Sequence, residues 1–365
     1  MKLRRFVLGL VFIVAGVVQA DTIRVPGQYP TIQAGIDAAQ DGDTVLVADG
    51  VYTGDGNRDI DYGGKLIDVV SENGPDNCTI DCQSLGRAFI FQNGETDQSI
   101  VEGFTITNGR APAHQLGGGI VFLNSSSATI TGCVITRCAT GIYNGGAVFC
   151  GPGSKTIITG CTFTENSSGG GVVFCDRSEG TISHCVFTNN TCGIGGGIFC
   201  SNASPNIFNC LIFGNTATDW PGGGGIMLNA GANPNIFDCT ITDNEADDGG
   251  AVYCHKGSSP NIRDSILWGN SPDEIYVESG NPVVTYSDVQ GGWPGEGNID
   301  KKPRFVSGPL GDFYLSQKRA GQDKNSRCVN KGDGKAKELG LKKYTTRTDG
   351  KKDRRAVDMG YHYPR

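Results

Sequence analysis

Residues 195–215 read GGGIFCSNASPNIFNCLIFGN, and the reading of that stretch decides the fold. Gly195-Gly196-Gly197 makes a bend, and Ile198-Phe199-Cys200 follows as a short strand. Ser201–Pro205 is rich in the residues that favour turns. Asn206-Ile207-Phe208 is a second strand, Asn209 a corner, and Cys210-Leu211-Ile212 a third strand. Asn215 closes the unit before the next glycine cluster. Three short strands and three turns without a helical period describe one coil of a parallel β-helix. A strand that returns parallel to itself crosses over right-handed almost without exception, so the solenoid is predicted to be right-handed.

The same unit recurs. Gly117-Gly118-Gly119-Ile120, Gly145-Gly146-Ala147-Val148, Gly170-Gly171-Val172-Val173, Gly223-Gly224-Gly225-Ile226 and Gly249-Gly250-Ala251-Val252 align with Gly195–Ile198. A second column holds Cys133, Cys161, Cys185, Cys210, Cys239 and Ser265. A third holds Cys138, Asn166, Asn190, Asn215, Asn244 and Asn270. Stacking then places Ile/Val inside the first sheet, and Ile135, Phe163, Phe187, Ile212, Ile241 and Leu267 inside the third. Asn166, Asn190, Asn215, Asn244 and Asn270 are expected to form a structural ladder, each amide bonding its neighbours above and below. Cys138 breaks that ladder at its start.

The reading extends to both ends of the chain. Met1–Ala20 has a basic start, an apolar run and a Val18-Gln19-Ala20 cleavage site, as a secretory signal does. Thr31–Gln40 is the one convincing helix, expected to cap the open first coil over 21–43. The β-helix is expected over 44–290 and an irregular C-terminal cap over 291–365, covering the far end. The fold class is all-β.

Charge divides the chain. Residues 21–300 carry 10 Lys and Arg against 31 Asp and Glu, a net −21, whereas 301–365 carry 18 against 7, a net +11. The acidic body argues against nucleic acid as a partner. The basic segment is expected to lie on the acidic body of its own chain rather than to bind a separate anion. Fourteen cysteines in an exported chain would suggest disulfides. However, Cys150, Cys175, Cys200 and Cys254 alternate with Phe122 and Leu228 at one phase, so there Cys fills a buried slot as a small hydrophobe. Cys78, Cys82, Cys138, Cys192 and Cys328 fall outside the columns and are the better disulfide candidates.

These residues resemble the secreted right-handed β-helix proteins of the pectin-lyase-like superfold. Tyr29-Pro30-Thr31-Ile32-Gln33, Gly42-Asp43-Thr44-Val45 and Gly50-Val51-Tyr52 carry the capping signature. The Gly-Gly-x-Ile/Val motif with Phe163–Asn166 and Phe187–Asn190 looks like the repeat of bacterial polymorphic outer-membrane proteins. Those are adhesins with a C-terminal transporter barrel that this chain lacks. The segments Gly297–Asp300, Pro303–Phe305, Gly311–Leu315 and Asp358–Pro364 also resemble the ends of secreted β-helix proteins. The resemblance implies the fold, an extracellular, cell-surface or periplasmic location, and a polysaccharide or surface glycan as partner.

Polysaccharide lyases, esterases and polygalacturonases share this fold, which makes catalysis a competing expectation. Such chemistry needs carboxylates converging on one face. Asp247-Asp248, with Asp219 one coil earlier, read as solvated turn acids, and Arg110, Arg137, Lys155, Arg177, Lys256 and Arg263 fall at scattered phases. No cofactor is called for, Ca2+ is not indicated by any motif, and no metal site is predicted. One column does suggest binding. Val121, Phe149, Phe174, Phe199, Met227 and Tyr253 lie between two inward positions, and alternation turns them outward. Phe149, Phe174, Phe199, Met227 and Tyr253 are therefore the predicted ligand track. The leading expectation is a non-catalytic, adhesin-like binding protein; the alternatives are a polysaccharide lyase and a structural surface or matrix protein.

Overall fold

The computed structural model describes residues 20–142, 144–352 and 355–365. The predicted signal segment 1–19 lies outside the described residues. The chain winds into a right-handed parallel β-solenoid of three long sheets. The first sheet has nine strands, the second eleven and the third ten. Each strand pairs in parallel with its equivalent one coil away. Ile120, Val148, Val173, Ile198, Ile226 and Val252 are in register in the first sheet. Ile135, Phe163, Phe187, Ile212, Ile241 and Leu267 are in register in the third. These columns and the isoleucines of the second sheet form one continuous core.

At the N-terminus, strand Thr22–Val25 adds to the edge of the second sheet, so the cap contributes a strand as well as a helix. The helix spans Ile32–Ala38, shorter than Thr31–Gln40. Thr31 is its N-cap, accepting the Ala34 N–H at 3.2 Å, and Ala39 turns extended. Ile32 and Ile36 are buried over the first coil.

The asparagine column sits at the corner between third and first sheets. The Asn190 N–H and Nδ2 both donate to Asn215 Oδ1, at 3.2 and 2.8 Å, and Nδ2 also donates to the Phe163 carbonyl at 3.0 Å. The pattern repeats from Asn166 to Asn270. Glu274 ends it, accepting from the Asn270 N–H at 3.2 Å and Nδ2 at 2.6 Å. Every polar atom of this buried column is thereby matched, which removes its desolvation cost.

The cysteines correct one expectation. All fourteen are free, buried thiols, including Cys78, Cys82, Cys138, Cys192 and Cys328, the five expected to pair. Cys192 Sγ lies 3.2 Å from Ser168 Oγ, and Cys328 Sγ lies 2.9 Å from an Asp288 carboxylate oxygen. Burial pushes the Cys138 and Cys192 thiols up to about 12, which keeps them in the unreactive form.

The C-terminal segment is a second correction. Only its first residues cover the end: Asn298 donates to the Val284 carbonyl at 2.9 Å, and Ile299 bonds Ser287 and Val289. The remainder turns back along the outer face of the third sheet. Strand Gly311–Leu315 and the closing residues Met359–Tyr363 lie there against Leu211, Phe213 and Ile266.

Candidate functional site

The outer face of the first sheet is where the predicted ligand track lies. Its side chains do point away from the core, forming a cluster of their own. They are not exposed: Phe149, Phe199 and Tyr253 are 3%, 3% and 1% accessible, Phe174 is 7% and Met227 is 1%. The expectation of a bare aromatic strip is therefore corrected. The bends that lead into each first-sheet strand fold over it. Gly171, at φ +62°, shows why these bends are glycine: a Cβ there would lie 2.6 Å from the Phe199 Cβ. Leu116 and Ile194 close over the rings from the bends. Arg87, itself buried, pins the first bend by donating from Nε to the Gly117 carbonyl at 2.8 Å. Alternation gave the correct direction, but it carries no information about a cover made by residues of the same coil.

The surface offered on this side is the ridge of bends. Trp220 stands on it, 65% exposed, with Ile142 on an earlier bend 84% exposed. The Trp220 indole N–H donates to Asp248 Oδ2 of the next coil at 3.0 Å. The bend is held from the previous coil by the Asp219 N–H, which donates to the Gly193 carbonyl at 2.7 Å. The indole is thus tied to the Asp248 carboxylate while most of the ring stands in solvent; Asp219 precedes it in the same bend, and Asp247 stands exposed before Asp248 in the next coil's bend. None of these three acids makes an ion pair among the described residues. Three of the coil cations are engaged elsewhere: Arg177 with Asp176, Lys155 with Glu179, Arg263 with Asp264 and Asp333. Among the described residues no three His, Cys, Asp or Glu come together in a metal-holding group.

Sequence reasoning weighed the three acids but missed Trp220. The residue belongs to no column, because it stands in the longer bend between Asn215 and Gly223. The length of that bend was the available signal.

The chain belongs to the right-handed β-helix family: the model of the right handed beta helix region matches residues 33–194 and 118–290. Among solved structures, the crystal structure of pectate lyase Pel9A is similar over 94% of this chain and 96% of that one. The identity is 14% and the TM-score 0.51, a likeness of fold. No curated protein sequence matches. Among the described residues no helix is long and apolar enough to cross a membrane.

Proposed function

We propose that this β-helix is an exported, non-catalytic protein that binds carbohydrate on the ridge of bends over its first sheet. The observation that carries this reading is Trp220, exposed and locked in orientation by Asp248. A sugar ring presents C–H faces that stack on an indole, and its hydroxyls donate to carboxylates. Asp248 supplies such an acceptor beside the ring, and with Asp219 and Asp247 on the same two bends it disfavours an anionic sugar, so the ligand class is a neutral glycan. A fixed ring also loses little entropy on binding. Export rests on the signal-like Met1–Ala20.

The test is a glycan array and titration of Trp fluorescence with neutral oligosaccharides, beside an assay for unsaturated lyase product. Binding is expected to disappear in Trp220→Ala and weaken in Asp248→Asn, with unchanged melting because Trp220 is exposed. No unsaturated product is expected. Undiminished binding by Trp220→Ala, or turnover of a polysaccharide, overturns the reading.

A further inference from the structure

The C-terminal segment carries its own charge pattern, and its docking on the coils does not use that charge. Contacts with the third sheet are apolar or run through the backbone, apart from the Cys328 thiol on the Asp288 carboxylate. Tyr314, Tyr361 and Tyr363 pack on Leu211, and His362 exchanges two hydrogen bonds with the Asn209 amide at 2.7 and 2.9 Å. Among the described residues one ion pair joins segment and body, Arg263 to Asp333, and there the cation belongs to the body. The basic segment does lie on the body of its own chain, but apolar and backbone contacts hold it there rather than ion pairs.

Its cations gather instead around a hollow of about 390 Å³ lined by Arg319, Arg347, Lys351, Lys352 and Arg355. A second hollow of about 470 Å³ shares Lys352 and Arg355 and adds Lys335, Lys337 and Lys342. Among the described residues the acids nearby are occupied. Asp349 accepts from Arg347 at 2.8 and 2.6 Å and lies 3.7 Å from Lys351; these contacts hold its carboxyl down at about 2. Asp358, buried in the floor, accepts from Gln317 Nε2 at 3.0 Å and from the Asn330 N–H at 2.6 Å. Glu338 pairs with Lys335 at 3.4 Å.

We propose that these joined hollows bind an anionic polysaccharide, carboxylated or sulfated. Guanidinium forks match carboxylate and sulfate groups, and lysines add point charge. Asn325 and Asn330 line the same hollow and suit sugar hydroxyls. Two hollows sharing two cations fit successive units of a polymer better than a single small anion. The net −21 of residues 21–300 repels any long stiff polyanion laid along the coils, which selects a flexible glycan over duplex nucleic acid.

The experiment measures binding of the full chain to polygalacturonate, heparin, neutral dextran and duplex DNA at low and high salt. Polygalacturonate or heparin is expected to bind, whichever anionic group is preferred, and to weaken steeply with salt. The triple variant Arg319→Ala, Lys352→Ala, Arg355→Ala should lose about tenfold or more. Arg24→Ala, Lys155→Ala, Lys256→Ala removes three body cations and should leave binding unchanged. Trp220→Ala should also leave it unchanged, which separates this site from the ridge. Full binding by the triple variant, or DNA bound as tightly as the glycans, overturns the proposal.

Discussion

The outer faces of the first and third sheets are both apolar in part, and both are covered, but by different means. On the first sheet the cover is local: each bend folds over the ring of its own or the next coil, as Gly171 does over Phe199. On the third sheet the cover is remote. Tyr363 lies over residues some 150 positions away, as the bonds between His362 and Asn209 at |i−j| 153 record. A local cover repeats with the coil and forms with it. A remote cover is one strap, which can detach without unwinding the solenoid.

The largest effect should come from breaking the local cover. Phe174 and Phe199 have ring centroids 4.8 Å apart and are sealed beneath the bends. Phe174→Ser with Phe199→Ser should cost about 3–5 kcal/mol per ring through the cavities left behind. Urea unfolding followed by β-sheet circular dichroism measures it. A double variant that melts like the parent would mean that the bends do not seal this face.

The remote cover should give a smaller and more localised response. Tyr363 stacks on Tyr314 at 3.9 Å and packs with Leu211. Gly360 allows the approach, since a Cβ there would meet Ile266 and Thr240 at 2.7 Å. Tyr363→Ala should weaken docking by about 2–3 kcal/mol. Limited proteolysis should then cut within 301–365 while the circular dichroism of the coils is retained. Loss of both together would show that strap and solenoid unfold as one unit.

The contrast explains what could be read in advance. Columns such as Ile198 and Asn215 are legible because every coil states them again, and the register follows from the repeat. The strap is stated once, and its partners lie far away in sequence. A trace of it is present all the same. Outward positions of the third strand read Thr105 and Thr107, then Thr162 and Thr164, in the early coils. Where the segment lands they become Leu211 and Phe213 and, two coils on, Ile266 and Trp268, while the coil between keeps Thr240, whose hydroxyl accepts from the Tyr361 N–H. The corner residue changes in parallel, from Gly132 and Gly160 to His184, Asn209, Asp238 and Asp264, all at positive φ. Those departures from the repeat, like Trp220 in its long bend, are where neighbours outside the coil make themselves felt.

The ladder lies between the two faces and should respond somewhat less than either cover. Asn215→Ala removes a buried amide, leaves the Asn190 backbone N–H without its acceptor and takes a donor from the Phe187 carbonyl. It should cost on the order of 1–3 kcal/mol, whereas Asn202→Ala, in a turn outside the column, should cost little. Equal melting temperatures would place the stability of the corner in the backbone alone.

The smallest effect is one of pH, and most of it should fall on the strap, with Glu274 at the end of the ladder, pushed up to about 7 by burial, adding a contribution within the coils. Asp238, Asp264 and Asp288 are buried beneath or beside the segment. Burial pushes Asp238 up to about 7, against the pull of His362, and raises Asp264 and Asp288 to about 6. A carboxyl raised in the folded state keeps its proton where the unfolded chain has lost it. Its contribution is therefore complete below about pH 4 and is lost as pH rises through 6 to 7. His184, held down at about 4 by burial and by His362, acts in the opposite sense, losing stability as pH falls below about 6.5. Between pH 8 and 6 the three carboxyls dominate, so docking should tighten on mild acidification. Asp238→Asn, which cannot ionise, should remove on the order of 1 kcal/mol of that dependence. Proteolysis of 301–365 at pH 6 and pH 8 reads the difference, and the rings beneath the bends, with no such carboxyl among them, should melt more nearly alike at both. A strap equally resistant at the two values in the parent chain would mean that Asp238 is ionised throughout, with His362 compensating its charge.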